Sequence, residues 1–156
     1  MIRVGVLLAA AALGSSSAAY STFHGAGVSF RYPARWQVSV GSPSLHWNGI
    51  ANLSTDPLHA ACSDTACGWP LSRLSRGGVL VMVGQGSERV RSSFRRVTAA
   101  VARGGSCREI GADETVTAVV HARSGRVVSV LACLRRPGLA RTRAEVLRLA
   151  RSLRAS

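Results

Sequence analysis

Apolar and polar side chains first alternate at Val28-Ser29-Phe30-Arg31-Tyr32, a period of two that predicts a half-buried strand stopped by Pro33. Trp36 and Val38, with Val40 beyond, continue as a second short strand, and Gly41-Ser42-Pro43-Ser44 is a turn cluster. Trp47 and the run Ile50 to Leu53 predict a third strand. An irregular stretch from Ser54 to Gly78 follows, and a loop of that length in a compact domain calls for a staple or a function. Val79-Leu80-Val81-Met82-Val83 is uniformly apolar and rich in β-branched residues, as a central strand covered on both faces would be, and Gly84-Gln85-Gly86-Ser87 is expected to end it. Val90, Phe94, Val97 and Val101 have helical spacing, yet the residue types from Val97 to Ala102 favour a strand. Thr115 to Ala122 and Val127 to Leu134 are two β-rich runs around Ser124-Gly125, the pattern of a hairpin. With a two-residue turn, Val116, Ala118 and Val120 fall opposite Cys133, Leu131 and Ser129, which would put Cys133 on the core face. Thr142-Arg143-Ala144-Glu145 has the form of a capping box, and Val146, Leu149, Ala150 and Leu153 mark one face of a helix. The predicted fold is α+β, a mostly antiparallel twisted sheet of about six strands with a C-terminal helix packed on one face.

The N-terminal segment has a different pattern. Arg3 precedes an apolar run from Val4 to Leu13, and small residues from Gly14 to Ala19 follow, which is the layout of a secretory signal peptide cleaved after Ala19. The apolar run, about ten residues, is half of the roughly twenty needed to cross a bilayer. Residues 1–19 are therefore read as a leader and 20–156 as a single disulfide-stapled domain without a transmembrane segment, secreted or held at the cell envelope.

Export to an oxidising compartment changes the reading of the cysteines. Cys62, Cys67, Cys107 and Cys133 are even in number and read as two disulfides. Of the three formal pairings, closing the small ring between Cys62 and Cys67 is easy, which leaves Cys107 to pair with Cys133. A zinc site at His59, Cys62 and Cys67 lacks a matching second pair of ligands, and the four-residue gap is too long for a thioredoxin-type motif. No metal and no cofactor are expected.

Charge adds one candidate surface. All 20 basic residues are arginine against 7 acidic ones, a formal charge of +13, which drops by one with Arg3. Such a chain attracts polyanions of many kinds. The absence of lysine, beside abundant Ala, Gly and Val, also has the look of a GC-rich coding bias. Nucleic acid is not the expected partner of an exported protein, whereas anionic envelope polymers and lipid headgroups are accessible to it. The densest basic stretch supplies Arg89, Arg91, Arg95, Arg96, Arg103 and Arg108, with Glu88 and Glu109 only at its edges, and forms the candidate anion-binding set. Trp36, Trp47 and Trp69 would line an apolar groove near it if they did not pack in the core. Catalytic chemistry finds no such support. Asp113 and Glu114 are adjacent on a predicted strand entry and point to opposite faces. His121 faces away from Val116, and no serine sits in a nucleophile-elbow motif.

The run Val28-Ser29-Phe30-Arg31-Tyr32-Pro33-Ala34-Arg35-Trp36 and the closing Arg151-Ser152-Leu153-Arg154 resemble the ends of PsbP-like α/β/α sandwich domains. Cys67-Gly68-Trp69-Pro70, Arg76-Gly77-Gly78-Val79-Leu80-Val81, Ile110-Gly111-Ala112-Asp113-Glu114-Thr115 after Cys107, and Ala132-Cys133-Leu134-Arg135 resemble the pattern of small uncharacterised secreted proteins of actinobacteria. Arg136 stands where that pattern has glycine. The resemblance implies a non-catalytic accessory or binding scaffold. The expectation is an exported binding domain for an extracellular or envelope protein, with an electrostatic binder of anionic envelope polymer or lipid as the alternative, and a thiol or hydrolytic enzyme as the least favoured.

Overall fold

A computed structural model describes residues 19–41, 48–62, 67–89 and 95–156. The expected leader and Trp47 lie outside the described residues, apart from Ala19. Among the described residues nine strands form: β1 (Tyr20–Gly25), β2 (Val28–Pro33), β3 (Gln37–Val40), β4 (Asn48–Ser54), β5 (Val79–Arg89), β6 (Arg96–Arg103), β7 (Glu114–His121), β8 (Arg126–Leu134) and β9 (Arg154–Ala155). A 3-10 helix, Gly105–Ile110, links β6 to β7, and the α-helix α1 (Leu139–Ser152) precedes β9. The expected α+β architecture is present. Six strands make one antiparallel sheet in the order β3-β4-β5-β8-β7-β6, and β1-β2-β9 make a second, three-stranded one.

Period-two alternation gives the large sheet two differently covered faces. Val79, Val81 and Val83 of β5, Val116, Ala118 and Val120 of β7, and Val128, Val130 and Ala132 of β8 point inward. There they meet Val28, Phe30, Val146, Leu149 and Leu153. α1 packs on β2 as well as on β7 and β8, so helix and small sheet together form the covering layer. Fully burying side chains of this size stabilises by roughly 1.5–3 kcal/mol each before entropy is counted. On the opposite face Leu80 and Cys133 contact Leu71, Leu74, Cys107 and Ile110. Leu71 and Leu74 of the irregular stretch and the 3-10 helix are thus the cover of the second face. The strand expected from Val97 to Ala102 is β6, at the edge of the sheet.

The hairpin register departs from expectation by one residue. Val116 pairs with Ala132, Ala118 with Val130 and Val120 with Val128, while Cys133 sits opposite Thr115. The connection is a three-residue loop, Arg123-Ser124-Gly125. Ala122 and Arg126 close it through the Ala122 amide donating to the Arg126 carbonyl at 2.9 Å, and Gly125 takes the left-handed φ of 81° that such loops require. A slip of one residue reverses every side chain. Cys133 accordingly faces the 3-10 helix rather than α1, and forms its disulfide with Cys107 there.

Three further departures have local causes. β5 continues through Gly84 and Gln85 because β4 and β8 flank it on both sides and keep the ladder going. β1 precedes the first expected strand through a two-residue turn in which Ala26 and Gly27 have φ of 49° and 69°, and an alanine in that conformation carries no turn signal. The capping box does not form. Helix α1 starts at Leu139 with Gly138 as its N-cap at φ 89°, so Thr142 lies inside the first turn and its hydroxyl donates to the Gly138 carbonyl. Glu145 turns inward to Arg35 at 2.5 Å.

Candidate functional site

Most arginines near the folded layers are engaged in holding them together. Arg126 donates to the carbonyls of Ala26, Gly27 and Ser156 and to Gln85 Oε1, at 2.8–3.1 Å, and so ties the two sheets. Arg143 makes a bidentate pair with the buried Glu114 carboxylate at 2.6 and 2.7 Å. That hydrogen bonding and charge raise the Arg143 pKa. Glu114 is therefore a structural acid joining β7 to α1, while Asp113 on the preceding residue accepts the Arg136 amide.

A different arrangement occurs where α1 ends. The residue before β6, the β7–β8 turn and the first residue of β9 converge on a cleft of about 430 Å³ lined by Arg95, Ala122, Arg123, Leu153, Arg154 and Ala155. The Arg95 guanidinium reaches the exposed carbonyls of the helix terminus: Nη2 donates to Ala150, Arg151 and Leu153, at 3.3, 2.5 and 3.0 Å, and Nε to Leu153 at 3.3 Å. Arg154 Nη1 reaches the Arg151, Ser152 and Leu153 carbonyls at 3.2–3.3 Å. Partial burial, then the charge of Arg154, lower the Arg95 pKa. No carboxylate among the described residues lies within 4 Å of Arg95, Arg123 or Arg154, since the ion pairs are Arg35 and Arg141 with Glu145 and Arg143 with Glu114. A helix C-terminus supplies only about half a negative charge. Arg95 and Arg154 bring two full cations to it and Arg123 adds a third residue of that charge to the cleft lining, so the cleft has a local excess of positive charge, which suits an oxyanion.

The basic stretch seen in the sequence is not one patch. Of the six, Arg95 is the one among the described residues that lines the cleft. Arg96 pairs across the sheet with His121, and Arg103 lies at the far end of β6 opposite Glu114, so the two point to opposite faces and are roughly 23 Å apart at 3.3 Å per residue. Arg108 is exposed on the 3-10 helix and folds over Gly104. Arg89 pairs through its main chain with Arg126, and Arg91 lies outside the described residues. Arg123 and Arg154, which complete the cleft, were missed. Arg123 is marked only by its neighbouring turn, and Arg154 only by following the last helical turn. The two described tryptophans share no groove. Trp36 packs in the inner core, whereas Trp69 lies on the other face of the sheet and donates through Nε1 to Glu109 at 2.9 Å.

The remaining chemistry-bearing residues are engaged or scattered. Cys62 is bonded to Cys67 and Cys107 to Cys133. Among the described residues no group of three or more His, Cys, Asp and Glu side chains is placed to hold a metal ion, and no helix is long and apolar enough to cross a membrane. Compared with protein-family models the chain gives no match, and compared with curated proteins it gives none either.

Proposed function

We propose that this chain is an exported, non-catalytic binding domain of the PsbP-like layered type, which recognises another extracellular or envelope protein and holds an anionic group of it in the cleft of Arg95, Arg123 and Arg154. The observation that carries the reading is one cleft lined by three arginines, with no carboxylate within 4 Å of them among the described residues. Two disulfides are in keeping with an oxidising compartment, and a sheet covered on both faces is in keeping with a layered scaffold. The excess of cations over the whole chain favours one second reading, attachment to anionic envelope polymer or lipid headgroups by charge alone.

Crosslinking on intact cells, followed by affinity capture, separates these readings when the wild type is compared with R123E/R154E. Arg95 is left in place because it makes the closer hydrogen bonds to the end of α1. The expected result is one dominant protein captured by the wild type at moderate salt and lost from the variant. Equal capture by both would remove the cleft from the interface. If no protein is captured while phosphatidylglycerol vesicles bind the wild type with a steep salt dependence, the electrostatic reading replaces the first.

A further inference from the structure

Strand β6 begins one residue after Arg95 and forms one end of the large sheet. Its outward main-chain N–H and C=O groups have no strand partner among the described residues. All its residues but Val97 are exposed, and Val101 is 48 % exposed. Between Arg96 and Arg103 it reads Val-Thr-Ala-Ala-Val-Ala, with no charge, proline or glycine. An eight-residue edge of this composition is a template for strand addition.

The charges at its ends select what can be added. A second copy of β6 paired antiparallel in full register would set Arg96 against Arg103 at both ends, and like charges directly opposite each other repel. These arginines therefore guard the edge against self-pairing. They do the reverse for a strand with carboxylates at both ends. Glu114, the acid across from Arg103, is already engaged by Arg143 and does not neutralise the edge. Residues seven apart on a strand point to opposite faces, as Arg96 and Arg103 do, so the matching acids also lie seven apart. In antiparallel pairing the C-terminal end of the added segment arrives at Arg95, and hence at the cleft.

We infer that β6 receives an extended segment of the partner protein as an added antiparallel strand, with an acidic residue at each end and the C-terminal acid directed to the arginine cleft. This rests on the reading of the chain as a protein-binding domain. The probe is a synthetic peptide, Glu-Thr-Val-Thr-Val-Thr-Val-Glu, with a control in which lysine replaces both glutamates, each titrated into the isotope-labelled protein and followed through amide resonances. The expected result is a shift of the Val97 to Ala102 amides by the glutamate peptide, at least tenfold tighter binding than the lysine peptide, and reversal of that preference in R96E/R103E. Shifts confined to Arg123 and Arg154 and their neighbours would overturn strand addition and leave the cleft reading intact. Binding of neither peptide at millimolar concentration overturns the inference. So does a concentration-dependent dimer with protected β6 amides, which would make a second copy the occupant.

Discussion

Removing the Cys107–Cys133 disulfide should cost this domain about twice what removing Cys62–Cys67 costs, and the reason lies in both chain length and burial. The first bridge closes a separation of 26 residues and the second one of 5. Chain entropy alone assigns them about 3.5 and about 2 kcal/mol. Cys107 and Cys133 are both 0 % exposed, packed among Leu71, Leu74, Leu80 and Ile110, whereas Cys62 is only half-buried and Cys67 exposed. Substituting the buried pair by alanine leaves a small void beneath the 3-10 helix, worth about 1 kcal/mol more. A folded unit of roughly 135 residues has an unfolding entropy near 0.28 kcal/mol per kelvin. The expected fall in Tm is therefore about 16 °C for C107A/C133A and about 7 °C for C62A/C67A. Thermal scans of the oxidised proteins by circular dichroism, at one pH and salt concentration, measure both. A drop for C62A/C67A equal to or larger than that for C107A/C133A would refute the reasoning, because neither loop length nor burial would then control the loss.

Three further substitutions test the roles given to particular residues. Arg95→Met removes the donor to three terminal carbonyls of α1 and should lower stability by about 1–2 kcal/mol. Arg154→Met also removes donors to the Arg151, Ser152 and Leu153 carbonyls, but these bonds are longer, at 3.2–3.3 Å, and the like charge beside Arg95 goes with them, so the loss should be smaller than at Arg95. Denaturant titration of both variants checks the order, and a larger loss at Arg154 would reverse the assignment of the cap. Gly125→Ala forces a side chain into the left-handed conformation at φ 81° and should lower stability by about 1 kcal/mol. An unchanged denaturation midpoint would exclude the three-residue loop and, with it, the register that places Cys133 on the outer face.

The sequence alone determined most of the strands and the helix. Val28–Tyr32, Val79–Val83, the two arms of the hairpin and the Val146, Leu149, Ala150, Leu153 face were all legible because each buries side chains at the period of its own backbone. Local pairing of the cysteines was legible too. The tertiary structure decided what periodicity leaves free. Ser124-Gly125 is compatible with turns of two or three residues, and only the packing of α1 over Val116, Ala118 and Val120 selects the register and sends Cys133 to the opposite face. Gly84 and Gln85 could end a strand, but flanking strands on both sides carry β5 through them. The candidate site was the least legible. Arg95 was visible in a dense basic stretch, whereas Arg123 and Arg154 come from a turn and a chain end that meet it only after the hairpin and α1 have docked. Charge density along a chain is one-dimensional, but a strand sends neighbouring arginines to opposite faces and carries the next ones more than 20 Å away, roughly at 3.3 Å per residue. A binding cleft is a convergence in space, and that is set by the packing of the layers.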